Sequence, residues 1–167
     1  MFNRILVPTD FSPPSAAALE YARILAMTYG SSIWILNVIN DPSGESEFVA
    51  DGFAPSTGEI RDELLTEARE RLACVLSSTD CARYHVHYHA LIGLPAHEIV
   101  DYASAIHADL IVMGTHGRTG LAHLLMGSVA EHVVRAASCP VLTVRERVLA
   151  EEALPAAVET TVAVAAA

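Results

Sequence analysis

The chain contains no lysine: all ten of its basic residues are arginine, and they are set against 20 acidic residues, for a formal net charge of −10. The missing lysine excludes a P-loop, because the Gly-x-x-x-x-Gly-Lys-[Ser/Thr] motif needs that side chain on the phosphates. The acidic balance opposes binding to nucleic-acid phosphates or to an anionic membrane surface. We therefore expect neither a nucleic-acid partner nor a membrane partner.

Cysteine and long apolar runs are also scarce. Cys74, Cys81 and Cys139 form an odd set with no C-x-x-C spacing, so neither a disulfide framework nor a zinc ribbon is expected. No apolar run approaches the roughly 20 residues of a membrane span, and the N-terminus has no signal-peptide pattern. With 167 residues, 52% of them hydrophobic, the sequence predicts one cytoplasmic domain with a full core.

Short apolar runs alternate with segments of helical periodicity along the chain. The predicted strands are 5–7, 33–39, 84–91, 110–113 and 141–144, and the predicted helices are 12–30, 59–77, 95–106 and 128–137. This order predicts a parallel sheet with helices on both faces. Residues 41–58, rich in Pro, Gly, Ser and acidic side chains, are expected to form a long loop. The nucleotide-binding domain would span 1–147, and the Ala/Val-rich tail 148–167 is expected to be poorly ordered.

Glycines follow the fourth predicted strand in a spaced pattern. Gly114 comes directly after the strand, Gly117 follows two residues later, and Gly127-Ser128 follows after nine more. Glycine tolerates positive φ and lets backbone N–H groups approach an anion closely. Ser128 and Glu131 have capping-box spacing, which predicts a helix N-terminus that attracts phosphate. The segment therefore predicts a phosphate site, and the alternative for Ser128 is a helix cap without a ligand.

The pattern Gly-x-x-Gly-x9-Gly-Ser resembles the ATP-binding signature of the nucleotide-binding branch of the universal stress protein family. Segments 5–12, 93–95, 109–114 and 138–145 are similar to other strands and turns of that family, and the match covers about 1–147. The resemblance implies an open five-stranded parallel sheet of order 3-2-1-4-5, a Rossmann-like α/β fold. It also implies a cytoplasmic, ATP-binding stress-response regulator that forms a homodimer through its last strand, Val141 to Val144.

The family's site residues carry over onto one set of positions in this sequence. The resemblance implies binding of ATP or another adenine nucleotide by Asp10, Val38, Met113, Gly114, Gly117, Gly127, Ser128 and Val129. Pro8, Thr9 and Arg118, which adjoin these positions, are further candidate site residues, and Mg²⁺ is an additional candidate. Asp10 and Gly114 both follow strand ends at the expected switch point, where open parallel sheets bind ligands. Asp10 has a second interpretation as a helix cap, Thr9 as a turn residue, and Val38 would act through its backbone alone.

Three further groups of residues have competing interpretations. Arg118 could reach phosphate or face solvent, and His116 is most simply a loop histidine. His85, His87 and His89 alternate along the third predicted strand, which would put them on one face about 6–7 Å apart; they are either edge-strand polar residues or part of a metal site. No base–nucleophile pair is evident, so slow ATP hydrolysis or phosphotransfer is the enzymatic alternative, and a ligand-free scaffold is the other.

Overall fold

The computed structural model describes residues 2–40, 57–115 and 126–145. Within them, five strands form one parallel sheet in the order β3-β2-β1-β4-β5. The strands are β1 (Arg4–Pro8), β2 (Ser32–Ile39), β3 (His87–Ile92), β4 (Leu110–Gly114) and β5 (Val141–Val144). The helices are α1 (Pro13–Tyr29), α2 (Thr57–Ala73), α3 (Ser78–Tyr84), α4 (Pro95–Ala105) and α5 (Ser128–Ala136). The predicted fold class and strand order are confirmed.

The sheet is covered on both faces because successive strand residues point to opposite sides. In β1, Ile5 and Val7 pack in the core formed with α1 and α2, whereas Leu6 packs in the core formed with α4 and α5. All three side chains are fully buried. Burial of a side chain of this size stabilises the fold by about 1.5–3 kcal/mol. The apolar β1 run therefore holds both layers against the centre of the sheet.

Helix α1 begins and ends where the sequence predicts. Ser12 is the N-cap, Pro13 and Pro14 occupy the first turn, and Gly30 ends the helix with φ 69°. Proline suits the first turn because its missing N–H would have no helical partner there. The side chain of Ser12 does not cap the helix; its hydroxyl donates to the carboxylate of Asp10 instead.

The predicted boundary between the second helix and the third strand is wrong. Helix α2 ends at Ala73, and a separate short helix, α3, precedes β3. Ser77 starts α3, because its Oγ accepts from the backbone N–H of Asp80 at 3.2 Å and donates to the Asp80 carboxylate at 2.8 Å. His85 is the C-cap of α3 with φ 45°, so it lies outside β3 and does not share a strand face with His87 and His89.

The other differences concern segment ends. Helix α5 has Gly127 as its N-cap and Ser128 as its first residue, so the predicted cap is shifted by one position. Residues 57 and 58 belong to α2 and not to the predicted loop; the remainder of that loop and the predicted tail 148–167 lie outside the described residues. In the described part of the chain, every helix is too short or too polar to traverse a lipid bilayer.

Candidate functional site

A cavity of about 540 Å³ opens at the carboxyl ends of the central strands. Its wall includes the turn after β1, the end of β2, the end of β4 and the first turn of α5. The cavity is lined by every predicted site residue that the structure describes: Pro8, Thr9, Asp10, Val38, Met113, Gly114, Gly127, Ser128 and Val129. Gly117 and Arg118 lie outside the described residues. The fold thus brings together residues separated by up to 121 positions in sequence.

The turn after β1 is held against β2 by the backbone of Thr9. The Thr9 N–H donates to the carbonyl of Leu36 at 2.8 Å, and the Thr9 carbonyl accepts from Nδ2 of Asn37 at 2.7 Å. Asn37 is only 7% exposed, and it also lines the cavity. The sequence interpretation missed this residue, although a single amide inside an apolar strand is a signal of a specific polar partner.

Side chains of the same turn are linked by hydrogen bonds. The Asp10 carboxylate accepts from the N–H of Ser12 at 3.1 Å and from the Ser12 hydroxyl. The Thr9 hydroxyl accepts from the N–H of Phe11 and lies 3.1 Å from the Ser15 hydroxyl, which donates to the Ser12 carbonyl. Because Ser15 has one proton, Thr9 is the donor between the two hydroxyls. Asp10 therefore orders the approach to α1 while lining the cavity.

Phe11 and Arg71 form one side of the cavity, and neither was predicted. Phe11 has φ 62°, a conformation that costs a non-glycine residue about 1 kcal/mol or more and is common at functional sites. The guanidinium of Arg71 lies 3.9 Å from the centre of the Phe11 ring, a cation–π contact. Arg71 Nη1 also lies 3.9 Å from Glu67 Oε1. Residues 60 positions apart meet here, which no local sequence pattern indicates.

Gly114 and Thr115 join β4 to its neighbours at the cavity. Gly114 does not adopt the positive φ that its place in the glycine pattern would permit. Glycine is needed there because a Cβ would lie 2.9 Å from the carbonyl carbon of Pro14. Thr115 donates its N–H to the Val144 carbonyl at 2.9 Å and accepts from the N–H of Gly127 at 2.7 Å. These two bonds fix the start of α5 beside the ends of β4 and β5.

The first turn of α5 presents backbone donors to the cavity. The first N–H groups of an α-helix have no intrahelical acceptor, and in α5 these belong to Ser128, Val129 and Ala130, all of which line the cavity. The first helical bond runs from the N–H of Glu131 to the carbonyl of Gly127 at 2.9 Å. Glycine has no side chain that could cap the free donors. This helix end can therefore receive an anion.

The strand histidines contact different aromatic rings. His87 stacks on Trp34 with centroids 4.0 Å apart and planes inclined by 20°, and His89 stacks on Tyr102 at 4.9 Å and 18°. In residues 2–40, 57–115 and 126–145, no group of three or more His, Cys, Asp or Glu side chains is arranged to hold a metal ion. His116 lies outside the described residues.

Comparisons with known proteins agree with this architecture. Residues 1–145 match the model of the universal stress protein family. Universal stress protein MJ0531 of Methanocaldococcus jannaschii is 38% identical over 149 residues, which cover 87% of this chain and 84% of that protein. The solved structure of MJ0577, from the same organism, superimposes with a TM-score of 0.71 at 29% identity, covering 87% of this chain and 96% of that one.

A further solved structure is a universal stress protein in complex with cAMP. It is 25% identical, has a TM-score of 0.54, and the comparison covers 86% of this chain and 97% of that one. The sheet order and the position of the cavity define a Rossmann-like α/β protein. The family match over residues 1–145 makes the assignment specific: the chain belongs to the universal stress protein family.

Proposed function

We propose that the chain binds an adenine nucleotide, with ATP as the leading candidate, in the cavity at the carboxyl ends of β1, β2 and β4. The observation that carries this proposal is the convergence of nine predicted residues on one cavity of about 540 Å³. Ligand pockets in proteins commonly measure about 300–1,000 Å³, so the space suits a nucleotide. The family match supports the choice of ligand class.

The phosphates are proposed to lie at the first turn of α5. Its N–H groups and the positive end of the helix dipole favour an anion. Among the described lining residues, the charged side chains are Asp10, Glu67 and Arg71, one cation against two carboxylates. Among these described residues, backbone donors supply most of the favourable interaction; Gly117 and Arg118, outside the described residues, and Mg²⁺ as an accompanying counter-ion are part of the same proposal. A chain without lysine has no P-loop alternative.

The purine ring is proposed to lie against the apolar part of the wall. Val38, Ile99 and Met113 line the cavity and belong to the core between the sheet, α4 and α5. Apolar walls with a few polar groups are typical of small-molecule sites. The cAMP complex of a related universal stress protein supports an adenine ligand in this fold. Asp10 lines the same cavity and is proposed to contact the sugar.

The role proposed for binding is regulatory. The described lining residues include no cysteine, lysine or histidine, and the general bases that they do include are the carboxylates Asp10 and Glu67. Asp10 accepts hydrogen bonds from Ser12 and Glu67 lies beside Arg71, so both carboxylates already have partners. The chain is therefore proposed to act in the cytoplasm as a nucleotide-dependent stress-response switch and not as an efficient enzyme. Slow ATP hydrolysis stays the enzymatic alternative, and its signature would be Mg²⁺-dependent turnover that the substitution Ser128→Glu abolishes.

The binding experiment is a calorimetric titration of the full chain with ATP, ADP, AMP, cAMP and adenosine. We expect saturable binding of one adenine nucleotide per chain, and weaker binding of adenosine because it lacks the group that contacts α5. GTP is the control for recognition of the base, because it carries the same ribose triphosphate as ATP with guanine in place of adenine. Absence of heat and of any thermal stabilisation by all five adenine ligands at millimolar concentration contradicts the proposal.

We also propose that two copies associate through β5. This strand ends the described sheet and pairs with β4 alone, and its Leu142 is 38% exposed. An unpaired apolar edge is a template for a second strand. Light scattering after size-exclusion chromatography should give a dimer for the wild type and a monomer for Leu142→Arg. Ile24→Arg, at an apolar position on α1 that is 57% exposed, is the control and should stay dimeric; a dimeric Leu142→Arg contradicts this interface.

A further inference from the structure

Two exposed histidines face each other across the α4–α5 interface, outside the cavity lining. His97 lies in the first turn of α4, and His132 is the middle residue of α5. Their ring centroids are 4.8 Å apart, and the ring planes are inclined by 36°. Neither residue takes part in the proposed nucleotide site, so their proximity needs a separate explanation.

The separation of the rings matches that of two imidazoles that share a metal ion. With metal–nitrogen distances of about 2.0–2.1 Å, two imidazoles on one tetrahedral ion have ring centroids about 5 Å apart. Ring stacking fits less well, because the planes are tilted by 36°, whereas the stacked pairs His87–Trp34 and His89–Tyr102 are within 20° of parallel.

The positions of both histidines on regular helices keep the pair in place. Helices α4 and α5 pack against each other on the same face of the sheet. Sites built on helices hold ligand geometry better than sites on loops. Both imidazoles are exposed, so an ion can reach them and solvent water can complete its coordination.

We propose that His97 and His132 form a two-histidine site for a divalent transition-metal ion of the Zn²⁺, Ni²⁺ or Cu²⁺ class. These ions favour imidazole nitrogen, and water fills the remaining coordination positions. Because Pro95 of α4 and Ser128 of α5 both line the cavity, a shared ion cross-links two walls of the nucleotide site. The site stands on its own geometry and does not depend on nucleotide binding.

The test is calorimetry of the full chain with NiCl₂ in the absence of nucleotide. Ni²⁺ is the better probe because Cys74 is exposed and thiolates compete for Zn²⁺. We expect one bound ion per chain. His97→Gln and His132→Gln should each weaken that binding by about tenfold or more, since loss of even an outer-shell partner costs about 10–100-fold. The double variant should lose at least as much affinity as either single variant but less than the sum of the two single losses in binding free energy, because both histidines hold the same ion.

Control variants separate this site from the other histidines. The double variant His87→Gln/His89→Gln removes the strand pair, and His107→Asn removes an exposed histidine whose φ of 50° suits asparagine. Both controls should keep full Ni²⁺ affinity. Circular dichroism without metal should show that His97→Gln and His132→Gln are folded. Binding that survives in the His97→Gln/His132→Gln double variant, or that the strand double variant abolishes, overturns the proposal.

Discussion

The Cα of Gly114 lies so close to the backbone of Pro14 that a Cβ at Gly114 would come within 2.9 Å of the Pro14 carbonyl carbon. This contact brings the end of β4 against the first turn of α1. Both elements border the cavity, since Gly114 lines it and the turn before α1 carries Asp10. The glycine that opens the spaced motif therefore has a packing function that is independent of any ligand.

Replacing Gly114 with alanine should destabilise the fold. The clash is with backbone, which cannot rotate away, and overpacking of this kind costs about 1–3 kcal/mol. Urea denaturation should show the loss as a lower midpoint with an unchanged m-value. Gly58→Ala, at an exposed position in the first turn of α2, is the control and should change stability by no more than about 1 kcal/mol. Equal stability of Gly114→Ala and wild type contradicts the close contact.

Replacing Asn37 with leucine should weaken both the fold and nucleotide binding. The change keeps the number and branching of the side-chain heavy atoms but leaves the Thr9 carbonyl without its 2.7 Å donor. A buried unpaired carbonyl costs about 1–3 kcal/mol. Because Thr9 precedes Asp10 in the cavity wall, the loosened turn should also lower the affinity for ATP.

The measurements for Asn37→Leu are urea denaturation and calorimetry with ATP. Asn40→Ala is the control, because Asn40 also lines the cavity but is exposed; its effect on stability should stay within about 0.5 kcal/mol. Unchanged stability and unchanged ATP affinity in Asn37→Leu would contradict a positioning role.

Asp109 lies at the end of the sheet opposite the cavity, directly before β4. It should make the stability of the fold depend on pH. Hydrogen bonds from the backbone N–H groups of Arg4 and Asn3, at 2.9 and 2.8 Å, hold the pKa of Asp109 below its ordinary value. A carboxyl with a lowered folded-state pKa contributes stability that is fully present above its unfolded-state pKa of about 3.9. That contribution is lost as the pH falls through the folded-state pKa.

Asp109→Asn tests this pH dependence because asparagine keeps a hydrogen-bond acceptor but not the charge. At pH 7 the variant should be less stable than the wild type by about 1 kcal/mol, and the difference should shrink near pH 3. Urea denaturation at both pH values measures it. Asp101→Asn, at an exposed position on α4, should cost less than about 0.5 kcal/mol at pH 7. A stability difference of the same size at pH 7 and pH 3 contradicts a lowered pKa of Asp109.

The sheet was predictable because every strand except β3, which carries His87 and His89, is a short apolar run with local turn signals around it. The runs at Ile5–Val7 and Leu110–Met113 form β1 and β4, and the family resemblance supplied the order of strands. The helix α3 was missed because its seven residues are mostly polar and carry little periodicity. Its signal was the spacing of Ser77 and Asp80, whose side chains start the helix.

The candidate site was predictable only where a local motif or the family resemblance marks it. Glycine spacing pointed to Gly114 and Gly127, and the end of β1 pointed to Asp10; all three line the cavity. Arg71 was missed because it reaches the cavity through the packing of α2 on the sheet, and its partner Phe11 lies 60 positions away. Ser128 was predicted to be the N-cap but is the first residue of α5, because the spacing Ser-x-x-Glu fits either position.

The most direct test of the nucleotide proposal is to compare Ser128→Glu with Ser128→Gln by calorimetry with ATP and adenosine. Ser128 is exposed in the first turn of α5 and lines the cavity. A carboxylate there interacts favourably with the helix dipole, by about 0.3–1 kcal/mol, so Ser128→Glu should be at least as stable as the wild type. Its charge, however, repels phosphate. We predict that Ser128→Glu binds ATP about tenfold or more weakly than Ser128→Gln, while the two variants bind adenosine equally. Equal ATP affinity of the two variants would contradict a phosphate site at the start of α5.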